Sequence, residues 1–325
     1  ASKSEGYVME KILCFGDCNV DIMIPMHELP VEGGCSYSSE MSINMGGSVY
    51  NTAAVLKRLK LKLIMISQIG RDMFGTLICN YLKEQGMTTE HIKHSDHPTG
   101  VTVALMTPNG EKRWISVRGN AADIYITDYD TKLLQQSKVL YLSGVVLIEG
   151  RESRDTAINM ARQVREKGGM VFLDPNIRVP VGKFDDNAKA AFERIYPYIN
   201  VLLPDEKELE LLGAGQNVHE AALTILSKGI SSIWVKLGGK GCAYYTKNSS
   251  ITFPANKVNV VDTSGAGDAF NAAVIYGTTT GLSDEETGVF ANLFASYTVT
   301  KHGTTQALPE DSEIENMIAE TKKSV

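Results

Sequence analysis

Short apolar runs alternate with helical stretches along most of the chain. Lys11 to Phe15 runs apolar up to Gly16-Asp17, and Leu63 to Ile69 is continuously apolar. Val139–Leu142, Met170–Leu173, Val201–Leu203 and Ser232–Lys236 repeat the pattern. Unbroken apolar runs of this length read as strands buried on both faces. Between them, Val49–Leu59, a segment ending near Gln85 and Arg151–Lys167 carry helical spacing. This rhythm predicts an α/β fold of three layers, α-β-α, around a mostly parallel central sheet. Ligands in such folds bind at the carboxyl ends of the strands, and the polar clusters of this chain follow its strands.

Two segments have a different rhythm. Pro25 to Met45 alternates between turns and short extended pieces, and Thr99–Leu105 and Arg113–Arg118 flank the turn Pro108-Asn109-Gly110. The second pair is a hairpin, and the two segments together predict a small separate β-sheet. The expected division is therefore an α/β body over 9–24, 47–97 and 125–325, with a lid over 25–46 and 98–124. Near the carboxyl end, Lys257–Val261 reads as a strand, Ala269–Tyr276 as a buried helix, and Asp284–His302 as a long apolar helix.

Composition narrows the function. The 325 residues suffice for a large core, and 43% hydrophobic with 22% charged residues is ordinary for a globular protein. A net charge of −6 argues against broad binding of nucleic acid or anionic membrane. The five cysteines are scattered and odd in number, which fits a reduced, cytoplasmic setting. No apolar run approaches membrane-spanning length.

The candidate chemistry centres on Asp262-Thr263-Ser264-Gly265-Ala266-Gly267-Asp268, which opens into the helix-like run from Ala269. Glycines at a helix start leave backbone N–H groups pointing one way, and the helix dipole favours an anion there. A carboxylate beside such an anion hole suits a general base taking a proton from a hydroxyl. The stretch is not a P-loop, because no Gly-Lys-Ser/Thr follows, and it lacks the dinucleotide GxGxxG. Asn19 and Asp21 follow the first strand, and Gly46-Gly47 precede a helix whose first turn holds Asn51. Asp205, Glu206, Glu208 and Glu210 form an acidic cluster that could hold a hard cation through water or simply favour a helix start. Leu237-Gly238-Gly239-Lys240-Gly241 is a tight turn suited to phosphate or to a plain hairpin.

Taken in order, these motifs resemble the ribokinase-like (PfkB) family of sugar and nucleoside kinases over nearly the whole chain. Gly46-Gly47…Asn51 is similar to the amino-terminal signature, Gly70-Arg71-Asp72-Met73-Phe74-Gly75 to a second landmark, and Asp262–Asp268 to the DTxGAGD signature. The resemblance implies ATP-dependent transfer of a phosphoryl group to a substrate hydroxyl, expected to be a primary one. It implies Asp268 as base, with Gly265, Ala266 and Gly267 supplying N–H groups to the transferred phosphoryl. It assigns Asn19, Asp21, Gly46, Gly47 and Asn51 to the sugar, and Lys236, Gly238, Gly241 and Asn292 to the nucleotide. The family's Asn-x-x-Glu is replaced by Asp205-Glu206-Lys207-Glu208, which keeps an oxygen at each end; Mg²⁺ is expected near Asp205 and Glu208. A monovalent cation such as K⁺ would be framed by Asp262, Ser264 and the His302–Thr304 backbone, and pairing through the lid would make a homodimer.

Two arginines bear on the acceptor. Arg118 precedes Gly119-Asn120-Ala121, and Arg178 ends Asp174-Pro175-Asn176-Ile177-Arg178. This resembles the branch of 2-keto-3-deoxygluconate kinases and some fructokinases, and two converging guanidiniums suit a sugar acid's carboxylate. The alternatives are a neutral sugar, as for ribokinase or fructokinase, a nucleoside, or a non-catalytic sugar sensor. In the neutral-sugar reading, Arg118 pairs with an acid of the lid and Arg178 meets the ATP phosphates.

Overall fold

The computed structural model describes residues 11–108, 112–119, 122–177, 184–215 and 217–325. Strand β1 (Ile12–Phe15) leads into β2 (Asn19–Pro25) and β3 (Ser42–Gly46), and helix α1 (Ser48–Arg58) follows. Strand β4 (Leu63–Gly70) and α2 (Met73–Glu84) precede β5 (Ile92–Ser95), β6 (Val101–Met106) and β7 (Lys112–Val117). Next come α3 (Asp128–Gln136), β8 (Val139–Ser143), α4 (Val145–Ile148), α5 (Glu152–Glu166), β9 (Met170–Asp174) and α6 (Asp186–Ile195). Strand β10 (Val201–Leu202), α7 (Glu206–Gly213), α8 (Val218–Ser227) and β11 (Ser232–Lys236) lead to the edge strands β12 (Gly241–Thr246) and β13 (Ser250–Pro254). Helices α9 (Ala266–Thr280), α10 (Asp284–Thr298) and α11 (Asp311–Ser324) close the chain.

The main sheet has nine strands in the order β13-β12-β11-β10-β9-β8-β1-β4-β5. Neighbours pair parallel from β5 to β11, and only β12 and β13 add antiparallel pairs. Alternate residues of one strand feed two different cores. Ile12 and Cys14 pack with α1, α9 and α10 on one face, whereas Leu13 and Phe15 pack with α5, α6 and α8 on the other. That explains the unbroken apolar runs: both faces of each central strand are covered. The chain leaves β1 for β4 on one side and returns to β8 on the other, so the crevice lies at the carboxyl ends of β1 and β8.

The small sheet has the order β3-β2-β6-β7. Its first strand begins at Asn19, six positions ahead of the Pro25 start expected for the lid, so Asn19 and Asp21 project from a lid strand rather than a loop. The β6–β7 hairpin forms as expected, although Asn109 and Gly110 of its turn lie outside the described residues. Two other expectations are corrected. Residues 257–261 form no strand; they run from the edge strand β13 to α9, and Val258 and Val260 face a cleft instead of a sheet. The helix expected to reach His302 ends at Thr298, because the following Val299 carbonyl turns to accept the N–H groups of Val261 and Asp262.

Candidate active site

Helix α9 begins where the sequence places its anion hole. Gly265 caps it with φ 75°, and no side chain satisfies the terminus. Helix geometry gives the first-turn N–H groups no carbonyl within the helix; that of Ala266 turns back to the Thr263 carbonyl at 3.3 Å. Asp268 stands in this first turn and is 8% exposed. Ser48 Oγ donates to its Oδ1 at 2.7 Å and Asn51 Nδ2 to its Oδ2 at 2.9 Å. Both donors come from the first turn of α1, the helix entered through Gly46-Gly47. These glycines permit close approach: a Cβ on Gly46 would meet Asp21 Oδ2 at 2.3 Å, and one on Gly47, at φ 100°, would meet the Asp17 carbonyl at 2.6 Å. Asn19 Nδ2 donates to Asp21 Oδ1 at 2.6 Å, so the two polar residues past β1 form one unit.

Three clefts meet at this terminus. One, about 510 Å³, is lined by Asp174, Asn176, Asp205, Glu208, Lys236, Gly238, Gly265, Gly267 and Asp268. A second, about 650 Å³, is more apolar and runs past Gly238, Gly241, Val258, Val260, Ala266, Gly267, Phe270 and Asn292. The third lies under the small sheet, between Asp21, Asn44, Met106 and Trp114 on one side and Asp262, Ser264, Gly303 and Thr304 on the other. Gln306 Nε2 ties the two sides together through Asn44 Oδ1 at 3.0 Å.

Lys236 ends β11 and points into the first cleft, with Nζ 3.3 Å from Asp174 Oδ1 and 3.3 Å from Asn271 Oδ1. Burial works against its charge, but Asp174, Glu208 and Asp268 outweigh burial and hold its pKa above the ordinary lysine value. Glu208 is pushed up to about 7, by burial first and then by Asp174, against the opposing pull of Lys236. Asp205 and Glu208 make a reciprocal capping box at the start of α7. Glu208 Oε1 also accepts the Ile177 N–H at 2.7 Å. The acidic stretch thus builds a helix terminus and still lines the cleft. No group of three or more His, Cys, Asp or Glu side chains able to hold a metal occurs among the described residues; a cation here would need ligands beyond these carboxylates.

Several expected residues have further duties. Asn292 donates its amide to the carbonyls of Phe253 and Pro254 at 3.1 and 3.2 Å, anchoring the cleft wall. Asp262 accepts from the N–H groups of Ser264 at 3.0 Å and Gly303 at 3.1 Å, which joins the two loops expected around a monovalent cation. Arg118 Nε lies 2.9 Å from Glu149 Oε2, so its partner is an acid of the body at the end of α4 rather than one of the lid. Arg178 lies outside the described residues. Sequence reasoning missed Ser48, which the fold brings against Asp268, Asn271, which it brings against Lys236, and Tyr141, whose hydroxyl meets Asn271. Asn271 left a signal, as the one amide within Ala269–Tyr276; Ser48 and Tyr141 left none that stands out locally.

A model of the family described as "pfkB family carbohydrate kinase" matches residues 9–311. The chain is 28% identical over 325 residues to a probable fructokinase-6, chloroplastic, of Arabidopsis thaliana, covering 95% of this chain and 83% of that protein. A structure of Arabidopsis thaliana ribokinase complexed with ribose and ATP superposes with a TM-score of 0.83 at 25% identity, covering 96% of this chain and 99% of that one. A putative ribokinase II from E. coli in complex with ATP and Mg²⁺ shares the fold, with a TM-score of 0.79 at 22% identity over 96% and 99% of the two chains.

Proposed function

The chain belongs to the pfkB family of carbohydrate kinases, and from that premise we propose that it moves the γ-phosphoryl group of Mg·ATP to a hydroxyl of a neutral sugar, with fructose the first acceptor to try and ribose the second. The observation that carries the choice of acceptor is the Arg118–Glu149 pair at 2.9 Å. A guanidinium already matched with a carboxylate has less to offer a second one, so the two-arginine clamp for a sugar acid loses a member. The named relatives, a probable fructokinase and a ribokinase, point the same way.

The residues fit these ligands. The uncapped terminus of α9 is an anion site by its own geometry. Lys236 supplies a retained positive charge beside it, and Asp205 and Glu208 border the same cleft, where they would hold Mg²⁺ together with phosphate oxygens and water. The more apolar cleft past Val258, Val260 and Asn292 suits an adenine ring. Asn51 Oδ1 is buried without a hydrogen-bond partner, an acceptor that a sugar hydroxyl would satisfy. Asp21, Asn19, Gly46 and Gly47 shape the acceptor side under the lid.

Bound Mg·ATP supplies the phosphoryl group. The protein's part is to position, exclude water and take a proton. Asp268 removes the hydroxyl proton, and the N–H groups from Gly265 to Gly267 steady the charge on the transferred oxygens. The small sheet acts as the lid, with Trp114 and Met106 covering the acceptor. The loops joined through Asp262 are the place for a monovalent cation. Five free cysteines suit a reducing compartment, for which the cytoplasm is our reading.

The test is ADP release from Mg·ATP with fructose, ribose, 2-keto-3-deoxygluconate and a nucleoside, for wild type and Asp268→Asn. Turnover is expected with fructose or ribose. Asp268→Asn should lower kcat by about 10²–10⁴-fold at unchanged melting temperature. Turnover confined to the sugar acid would overturn the neutral-sugar reading, and absence of turnover with every acceptor, despite ATP binding, would return the sensor alternative.

A further inference from the structure

Asp268 is held from outside its own helix, by a residue 220 positions away in sequence. Ser48 is 1% exposed and is the first residue of α1. The cap residue Gly47 has no side chain to offer. The Ser48 N–H is instead accepted by Asp17 Oδ2, at 3.2 Å, from the carboxyl end of β1. Asp17 is 3% exposed, and its other oxygen is buried without a hydrogen-bond partner. Keeping a carboxylate there works against its own solvation, which calls for a reason.

A second support lies beneath. Tyr141, on β8, is wholly buried, and its hydroxyl meets Thr52 Oγ1 at 3.1 Å and Asn271 Nδ2 at 3.4 Å. Asn271 Nδ2 also donates to Asp174 Oδ2 at 2.8 Å, and Asp174 in turn faces Lys236. One buried polar lattice therefore joins the acceptor-side helix α1 to the phosphate-side lysine, with Asp268 on its rim. Buried chains of hydrogen bonds of this kind restrict side-chain orientation.

We propose that Ser48 is a positioning residue for phosphoryl transfer: anchored by Asp17 and flanked by the Tyr141 lattice, it sets the orientation of the Asp268 carboxylate toward the acceptor hydroxyl. This rests on the role proposed above for Asp268. A carboxylate on a first helical turn turns readily about its side-chain bonds. Two donors from a second helix stop that rotation. Asn51 belongs to the sugar side as well, so Ser48 is the donor dedicated to the base.

The experiment is steady-state kinetics with Mg·ATP and fructose, or ribose if fructose is silent, for wild type, Ser48→Ala, Tyr141→Phe and Asp268→Asn. Losing a hydrogen bond to a charged group should cost Ser48→Ala roughly ten- to a hundredfold in kcat, with both KM values within about threefold of wild type. Tyr141→Phe removes one oxygen from a packed ring and should lower kcat by about three- to tenfold with the same split; it carries the test if Ser48→Ala folds poorly. Wild-type kcat in both variants, or a loss confined to KM for the sugar, overturns the inference. An active Asp268→Asn overturns the base itself. An inactive Asp268→Asn beside a fully active Ser48→Ala and Tyr141→Phe overturns only the positioning role.

Discussion

At Arg118 the pair with Glu149 is partly open to solvent, with 31% of the arginine side chain and 26% of the glutamate side chain exposed. A half-buried pair of this kind adds on the order of 1 kcal/mol or less to stability. Arg118→Ala is therefore expected to leave the melting temperature nearly unchanged and to alter kcat/KM for fructose or ribose by less than about threefold. A tenfold or larger loss restricted to acidic acceptors, measured on the same panel of sugars, would restore the carboxylate clamp. Asp268 shows the opposite kind of residue. Its type and its place after Gly265-Ala266-Gly267 are legible in one dimension, because the helix start that bares the N–H groups is written locally. Ser48, its partner at 2.7 Å, is not legible, because nothing within α1 reveals what α9 will bring against it.

At the level of elements, the edge strand β5 is fastened to α3 by a buried charged cluster away from the cleft. Asp130 is 1% exposed and meets His91 Nδ1 at 2.7 Å and Lys93 Nζ at 2.5 Å. It also closes a capping box with Thr127. Burial alone would raise its pKa, but the hydrogen bonds from His91, Lys93 and Thr127 outweigh burial and bring it down to about 2. The folded value lies below the unfolded one, so the stabilisation is fully present above about pH 4 and is lost as pH falls through about 2. Its size is on the order of 2 kcal/mol. Asp130→Asn should cost about 3–5 kcal/mol at neutral pH, since it leaves Lys93 buried without its counter-charge. Urea unfolding between pH 2 and pH 5 should also show a flatter acid limb for the variant. Equal slopes for variant and wild type would assign the acid sensitivity to other carboxylates.

The lid argues at the scale of the whole molecule. Its strand register puts Asp21, Asn44, Thr102 and Ser116 on one face and Ile22, Ile43, Val103 and Ile115 on the other. The polar face covers the cleft, so the apolar face points away from it, with Ile43 at 45%, Ile115 at 59% and Val117 at 54% exposure. Apolar residues gathered on an outward sheet face mark a surface for association, which supports the homodimer proposed from the family resemblance. Ile115→Glu together with Val117→Glu is expected to shift the protein to a monomer in sedimentation velocity. A wild-type protein already monomeric at micromolar concentration would end that proposal.

What the sequence determined by itself is local in origin. Continuous apolar runs specified strands covered on both faces, the β6–β7 hairpin announced a second sheet, and Asp262–Asp268 carried both a helix start and the carboxylate proposed as base. These follow from periodicity and backbone chemistry, which act over a few residues. The valine run at 257–261 misled because β-branched residues suit a cleft wall as well as a strand. Only the tertiary structure decided that Asp21 projects from a lid strand, that Arg118 turns to Glu149, and that Ser48, itself held by Asp17, reaches Asp268. Such pairings depend on how strands order in the sheet and how helices pack across it, and no single segment of the chain contains that information.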